Sequence, residues 1–121
     1  MEIWFNPRCS KCRIAKEAVD EVGLTYELRY YLQEPPSPAD LRAVLARLAL
    51  APWDICRTAD ARGAGVTLPD RDAAHVDAWI DVLVANPMLI QRPLVVADDG
   101  TAYVARDPDS VAAAIAHSRP T

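Results

Sequence analysis

The chain has 121 residues, 51% of them hydrophobic and 25% charged, with a formal net charge of −4. This length is enough for one domain with a substantial core, and no apolar run approaches the roughly 20 residues that a membrane span needs. The negative charge argues against non-specific nucleic-acid binding. We therefore expect one cytoplasmic domain that binds neither nucleic acid nor a membrane.

The first third of the chain has the pattern of a strand, a helix and a second strand. Residues 2–5 are predicted to form a short strand, which ends at Asn6-Pro7. Apolar residues then recur at i, i+3, i+4 and i+7, which predicts a helix from about Ser10 to Val22 that ends at Gly23. Residues 26–32 have the composition of a second strand. A crossover of this length implies that the two strands are parallel neighbours.

The middle of the chain is predicted to be mainly helical. Ser37-Pro38 has the pattern of a helix cap and first helical residue, and we expect Pro52 to close that helix. Residues 53–71 show no sustained period and contain two glycines, so we expect a mobile loop. A third helix follows over residues 76–83 and stops at Asn86-Pro87.

The last third has the pattern of a β-hairpin followed by a helix. Two short apolar runs flank Asp98-Asp99-Gly100, a sequence typical of a hairpin turn. Asp107-Pro108 then has the form of a cap and first residue of a helix that buries Val111, Ala112 and Ile115. The predicted class is α/β, a four-stranded mixed sheet with helices on its faces and a helical insertion at about residues 34–86. The thioredoxin fold has this order, but choosing it over another α/β sandwich depends on the cysteine motif.

Cys9 and Cys12 form a C-x-x-C pair at the start of the first predicted helix. The N-terminus of a helix offers unpaired N–H groups and about half a positive charge, and both favour a thiolate. Such positions lower the pKa of a cysteine from about 8.5 to roughly 3.5–7.5. Arg8, Lys11 and Arg13 add positive charge nearby. We therefore interpret Cys9 as a nucleophile, beside N–H groups that can hold an oxyanion.

A metal site is the weaker interpretation of these cysteines. A structural zinc site needs four ligands, whereas the chain offers one C-x-x-C pair and the distant His75 and His117. Three cysteines are also too few for a secreted disulfide scaffold. Cys56 has the pattern of a packed core residue, and Cys12 can be either packed or reactive. We predict no metal site.

Four segments resemble, in order, the glutaredoxin-linked arsenate reductase family, which also contains the Spx-type regulators. They are NPRCSKCR, ICRT, NPMLIQRPLVV and VARDPDSV. The resemblance implies a thioredoxin-like core, a catalytic cysteine and three arginines that bind the substrate anion. The catalytic residue would be Cys9, and the arginines would be Arg57, Arg92 and Arg106. The family's cis-proline corresponds to Pro93, and we add Asn6, Ser10 and Arg13 as supporting residues around Cys9.

The implied substrate is arsenate, a tetrahedral oxyanion. Arginine binds such anions through paired, charge-assisted hydrogen bonds and keeps its proton. The resemblance implies that the Cys9 thiolate attacks arsenic, that a second thiol attacks the adduct and that arsenite leaves. Glutathione, glutaredoxin or thioredoxin would supply the electrons, without a bound cofactor. We expect a monomer, because no exposed apolar stripe stands out.

Two positions depart from the family pattern. Phe5 stands where many members carry a histidine, so activation of Cys9 would depend on the helix end and basic residues. Cys12 stands where reductases mostly carry serine or another small residue. Cys12 or Cys56 would then be a candidate resolving thiol. The C-x-x-C pair also leaves open an Spx-like redox-sensing transcription regulator or a general thiol–disulfide oxidoreductase, although neither needs three anion-binding arginines.

Overall fold

The computed structural model describes residues 1–118. Two compact units can be distinguished, one formed by Met1–Glu34 with the chain from Arg92 onward, and one formed by Pro35–Gln91. The elements of the first unit are β1 Glu2–Trp4, α1 Ser10–Glu21, β2 Glu27–Arg29, β3 Leu94–Val96, β4 Ala102–Val104 and α5 Pro108–Ala116. Those of the second unit are α2 Pro38–Leu48, α3 Thr58–Gly63 and α4 Val76–Ala85, with 3-10 turns at Pro52–Ile55, Ala73–His75 and Pro87–Leu89. Within residues 1–118, no helix is long and apolar enough to cross a membrane.

The four strands of the first unit form one mixed sheet in the order β2-β1-β3-β4. β1 is parallel to β2 and antiparallel to β3, and β3 is antiparallel to β4. The predicted α/β class and the parallel pairing of the first two strands are therefore confirmed. The register places Trp4 opposite both Arg29 and Leu94, and Leu94 opposite Val104. As a result, the segments after β1, β2 and β4 and the segment before β3 all lie at one edge of the sheet.

The core of the first unit lies between the sheet and the helices α1 and α5. Its buried members are Ile3, Phe5, Cys12, Ala15, Val19, Val95, Ala105, Val111 and Ala114. The predicted buried face of the last helix is partly wrong, because Ala112 is exposed and Ala114 is buried. Val111 and Ala114 are three residues apart on one face of α5, and Ala112 points about 100° away from Val111.

Turns and caps in the first unit follow the predicted chemistry. Gly23 ends α1 with φ of 73°, and Gly100 occupies the hairpin turn with φ of 89°. Asp107 caps α5 by accepting a hydrogen bond from the Ser110 N–H at 2.8 Å. A residue with positive φ favours glycine, which has no Cβ to clash with the backbone. These contacts are local, so the sequence alone predicts them.

The second unit is helical, and its boundaries differ from two of the predictions. Ser37 caps α2 and forms a capping box with Asp40, as the sequence indicates. The helix ends at Leu48, with Ala49 in the left-handed region at φ of 55°, and Pro52 opens a 3-10 turn instead of closing α2. The prediction of a loop over residues 53–71 is wrong for residues 58–63, which form α3. That helix has only six residues and buries one of them, Ala61, which is too little to produce a visible period.

The sequence predicts one domain over the whole chain, with a helical insertion at about residues 34–86. The second unit runs from Pro35 to Gln91 and has its own buried residues. These include Leu41, Val44, Leu45, Ile55, Ala61, Trp79, Ile80, Leu83, Leu89 and Ile90. The assignment of both units to a single domain stays a prediction.

Candidate active site

Cys9 occupies the N-cap position of α1, directly after the segment that leaves β1. Its backbone is extended, with φ of −92° and ψ of 121°, and its carbonyl accepts the N–H of Arg13 at 3.1 Å. The loop before it is held by side chains predicted to support the site. The Asn6 side-chain oxygen accepts the Arg8 N–H at 3.0 Å, and the Arg13 guanidinium donates to the Pro7 carbonyl at 2.9 Å. Ser10 is the exposed first residue of α1.

The environment of Cys9 favours the thiolate. Burial by itself would raise the pKa of Cys9, but hydrogen bonds outweigh that effect and lower the pKa from 9.0 to about 7. The donors are the backbone N–H groups of Lys11 and Cys12, the Arg92 side chain and the Cys12 thiol. At pH 7 roughly half of the molecules therefore carry a thiolate. The helix start contributes as expected, and the charged contact comes from Arg92.

Phe5 fills its position as a core residue. Its side chain is 5% exposed, and its ring meets Tyr30 edge to face with centroids 5.9 Å apart. At the position where the family resemblance implies a histidine, this chain thus packs an apolar ring into the core of the first unit. Lowering of the Cys9 pKa consequently depends on N–H groups and Arg92.

Cys12 is one helical turn beyond Cys9 and is fully buried. Burial raises the pKa of Cys12 to about 12, and the nearby Cys9 charge adds to this effect. Cys12 therefore stays a thiol and donates a hydrogen bond to the Cys9 sulfur. All three cysteines are reduced in the structure. The pair thus combines one half-buried thiolate with one buried thiol.

Two of the three predicted arginines lie at the same sheet edge as Cys9. Arg92 precedes β3 and donates a hydrogen bond to the Cys9 sulfur. The peptide bond between Arg92 and Pro93 is cis, in agreement with the family resemblance. Arg106 follows β4, and its Nη1 donates to the Arg92 carbonyl at 2.5 Å. The structure therefore places Cys9, Arg92 and Arg106 together.

Tyr31 also belongs to this edge, and the sequence analysis missed it. It follows β2, its side chain is fully buried, and its ring stacks on Trp4 with centroids 6.3 Å apart. Burial raises the pKa of Tyr31 to about 12, and the facing Arg92 guanidinium opposes that rise. A signal existed, because Tyr31 follows the second of two parallel strands, whose carboxyl ends share an edge with Cys9.

Cys56 and Arg57 lie in the second unit, at the end of the Pro52–Ile55 turn. Burial raises the pKa of the Cys56 thiol, which is 6% exposed. The Arg57 Nε donates to the Asp60 carboxylate at 2.5 Å, and the Arg57 N–H donates to the Leu89 carbonyl at 2.6 Å. Cys56 therefore fits its interpretation as a packed residue, and Arg57 is paired with an acid.

Among residues 1–118, one group of side chains has the spacing of metal ligands. It consists of Asp70, Asp72 and His75 in the second unit, whose ligand atoms lie within 4.8 Å of one another. The His75 Nδ1 is 2.5 Å from Asp72 Oδ1, and this pairing raises the pKa of His75. A contact of this kind is common between surface residues, and none of the three is among the predicted site residues.

Comparison with known proteins places this geometry in a family. A model described as "ArsC family" matches residues 4–114. An uncharacterized protein in the glnII region of Streptomyces viridochromogenes is 51% identical over 113 residues, which cover 92% of this chain and 95% of that protein. An arsenate reductase of Neisseria meningitidis serogroup A is 32% identical over 118 residues, covering 95% of this chain and 97% of that one.

Solved structures of similar fold support the same family. An arsenate reductase from Vibrio cholerae superposes with a TM-score of 0.75 at 27% identity, covering 93% of this chain and 97% of that chain. This likeness confirms the thioredoxin-like α/β fold that the cysteine motif favours. Because the family model spans most of the sequence and relatives above 30% identity cover nearly all of it, the chain belongs to the ArsC family.

Proposed function

We propose that the protein is an arsenate reductase in which Cys9 attacks arsenate. The observation that carries the proposal is the hydrogen bond from Arg92 to the sulfur of Cys9 at the start of α1. It puts a permanent positive charge beside a thiolate, where an oxyanion substrate would otherwise be repelled. Membership of the ArsC family and similarity to an arsenate reductase of Neisseria meningitidis support the same substrate.

Arsenate would be held by arginine side chains and by the N-terminus of α1. Arg92 and Arg106 supply fork-shaped donors that match the tetrahedral oxygens of the anion. The N-terminus of α1 adds N–H groups and partial positive charge. The family resemblance assigns a third anion contact to Arg57. These donors also stabilise charge that develops on the oxygens during attack.

The proposed reaction proceeds through two displacements. The Cys9 thiolate forms a sulfur–arsenic bond, and one arsenate hydroxyl leaves as water after gaining a proton. A second thiol loses its proton and attacks the Cys9 sulfur, forming a disulfide. The electron pair of the sulfur–arsenic bond passes to arsenic, which leaves as arsenite. A protein dithiol or glutathione then reduces the disulfide.

Cys12 is our candidate for the second thiol. It hydrogen-bonds the Cys9 sulfur from the same helical turn, so a disulfide between them needs little movement. Its raised pKa keeps it protonated at rest, and attack requires that its proton pass to a group released in the reaction. Glutathione from solution is the alternative second thiol, and Cys56 is another candidate on the same chain.

The test is arsenite formation with two donor systems, thioredoxin with its reductase and glutathione with glutaredoxin. We expect turnover by the native protein and none by Cys9→Ser. Loss of the thioredoxin-driven reaction in Cys12→Ser, with rescue by glutathione and glutaredoxin, would identify Cys12 as the resolving thiol. Loss of the thioredoxin-driven reaction in Cys56→Ser, with Cys12→Ser still active, would assign the resolving role to Cys56 instead. Absence of arsenite with both systems, or an active Cys9→Ser, contradicts the proposal.

A redox-sensing regulator of the Spx type is the second candidate. The contact between Cys9 and Cys12 favours it, because such a pair can act as a switch. This candidate predicts capture of the RNA polymerase α subunit that depends on oxidation, together with no arsenate turnover. For either function we propose action as a monomer in the cytoplasm, where thiols stay reduced.

A further inference from the structure

We propose that Tyr31 is a positioning residue, which holds the Arg92 guanidinium in place against the sulfur of Cys9. The effect of Tyr31 on the pKa of Cys9 is independent of the proposed function. Its effect on arsenate reduction rests on that function. The proposal concerns a buried tyrosine that no sequence motif marks and that would not itself touch arsenate.

The topology brings the three residues together. Cys9 follows β1, Tyr31 follows β2 and Arg92 precedes β3, and these three strands are neighbours in the order β2-β1-β3. β1 and β2 are parallel and β3 is antiparallel to β1, so all three residues fall at the same edge of the sheet. At this edge the segment that follows β1 lies between Arg92 and the segment that follows β2, and Arg106 follows β4 on the other side of Arg92.

The ring of Tyr31 is fixed in the core. Its side chain has 0% exposure, and the ring stacks on Trp4 at an interplanar angle of 29°. The Tyr31 backbone N–H donates to the Arg29 carbonyl at 3.0 Å, which sets the chain direction after β2. Trp4 in turn is anchored by its Nε1, which donates to Glu2 at 2.8 Å. The hydroxyl consequently has one fixed direction.

That hydroxyl faces the Arg92 guanidinium and lies near the thiols of Cys9 and Cys12. It is fully buried and has no partner at ordinary hydrogen-bond distance and angle, yet it lies close enough to Arg92 for the two groups to interact. A buried hydroxyl without a good partner costs free energy, and phenylalanine would fill the same space without that cost. The oxygen can accept one N–H of the guanidinium and leave its remaining donors for the Cys9 sulfur. Positioning Arg92 is the role that this arrangement allows.

The experiment compares Tyr31→Phe with Tyr30→Phe. Both substitutions remove one hydroxyl, but Tyr30 is 43% exposed and its ring contacts Phe5. The readout is the rate of Cys9 alkylation by iodoacetamide between pH 5 and 9, with the modified residue identified by mass spectrometry. In Tyr31→Phe we expect the pKa of Cys9 to rise by about one unit, and alkylation at pH 6 to slow about tenfold. Tyr30→Phe should match the native protein.

A second pair of variants tests whether the effect passes through Arg92. Arg92→Met should raise the pKa of Cys9 by itself, and adding Tyr31→Phe to it should raise the pKa no further, because residues that act as a unit are not additive. The proposal is wrong if Tyr31→Phe leaves the native pH profile unchanged. It is also wrong if Tyr31→Phe shifts that profile equally with and without Arg92. A lowered melting temperature with an unchanged profile would show a purely structural role.

Arsenate assays on the same variants separate this proposal from the proposed function. A shifted alkylation profile in a protein that never reduces arsenate would support positioning by Tyr31 and contradict the reductase. If the native protein reduces arsenate, Tyr31→Phe should lower kcat at pH 6 more than at pH 8, because only the thiolate fraction changes.

Discussion

The thiolate of Cys9 depends on groups from several parts of the chain. Two of the donors are N–H groups of its own helix, which any residue at that position would meet. The charged donor, Arg92, comes from the start of β3, and Arg106 holds the Arg92 carbonyl from the end of β4. A buried thiol, Cys12, completes the set. The reactivity of one residue is therefore set by the sheet that brings these donors together.

The first prediction concerns the pH dependence of Cys9. Because its pKa is lowered to about 7, alkylation should rise with pH and reach half of its maximum near pH 7. Cys12 and Cys56, whose pKa values are raised and whose side chains are buried, should stay unmodified. Mass spectrometry after brief iodoacetamide treatment checks both points. Half-maximal alkylation above pH 8.5 would contradict the assignment, and urea-unfolded protein gives the unperturbed reference.

The second prediction concerns Arg106. Lysine keeps the charge but lacks the fork that can donate to the Arg92 carbonyl and to an oxyanion together. We expect Arg106→Lys to lower kcat/KM for arsenate by about 100-fold, the loss typical of one donor to developing negative charge. The matched control is Arg42→Lys, because Arg42 is exposed in the second unit and pairs with Asp77. Equal activity of the two variants would remove Arg106 from the site.

At the scale of elements, helix ends explain most of the local structure. α2 and α5 each begin with a polar cap and a proline, and both caps form the expected hydrogen bonds. α1 differs, because its N-cap Cys9 has no side-chain cap bond. Its N–H groups are thus left to the sulfur and to whatever anion binds beside it. α3 and α4 also lack a side-chain cap bond, so the reactivity of this helix end depends on the sulfur at the cap position and on the Arg92 side chain beside it.

The third prediction concerns the other end of α2. Ala49 adopts the left-handed conformation at φ of 55°, where a Cβ is unfavourable by about 1 kcal/mol. Ala49→Gly should therefore stabilise the protein by roughly 0.5–1 kcal/mol. The same substitution at Ala43, which is exposed inside α2, should destabilise it by about 1 kcal/mol. Urea denaturation of both variants measures the opposite signs. A loss of stability in Ala49→Gly would contradict the argument.

At the scale of the whole molecule, four surface carboxylates make stability depend on acid pH. Hydrogen bonds from Tyr26, His75, Thr101 and Ser110 lower the pKa values of Asp20, Asp72, Asp99 and Asp107, respectively. For Asp99, which also meets His117, the pKa falls to about 2. A carboxyl with a lowered folded-state pKa stabilises the fold above its unfolded value, and this contribution is lost as pH falls through the folded value.

The fourth prediction concerns the loss of stability at acid pH. The urea midpoint should be constant near pH 6 and should decrease between about pH 4 and pH 2, as these carboxylates gain protons. Asp99→Asn should lower the midpoint at pH 6 and differ less from the native protein at pH 2. Equal midpoints for the native protein at both pH values would contradict the proposed contribution of the carboxylates.

The fifth prediction concerns the size of the particle in solution. The large apolar side chains that are exposed within residues 1–118 are spread along the chain, namely Ile14, Val22, Tyr30, Leu50 and Met88. Isolated exposed residues of this kind are normal on monomers. Light scattering should give the mass of one chain, 13.3 kDa. Twice that mass at micromolar concentration would contradict the expectation.

The sequence by itself determined the local features of this protein. The order of the elements, the caps at Ser37 and Asp107 and the hairpin turn at Gly100 all depend on contacts within a few residues. The start of α1 at Cys9 is of the same kind, because Asn6-Pro7 ends the strand before it. The short helix α3 and the end of α2 were missed for the complementary reason. Six residues are too few to show a period, and Ala49 is not a residue that usually ends a helix.

Only the tertiary structure decided which residues surround the Cys9 sulfur. The family resemblance nominated Arg92 and Arg106, but their contacts depend on β3 lying between β1 and β4. The burial of Cys12 and the direction of the Tyr31 hydroxyl depend on the same sheet. Hydrogen bonding and charge act over a few ångströms in space, whereas a sequence pattern records only separation along the chain. The order of the strands determines which distant segments become close in space. In this fold it brings together the groups that favour the thiolate of Cys9.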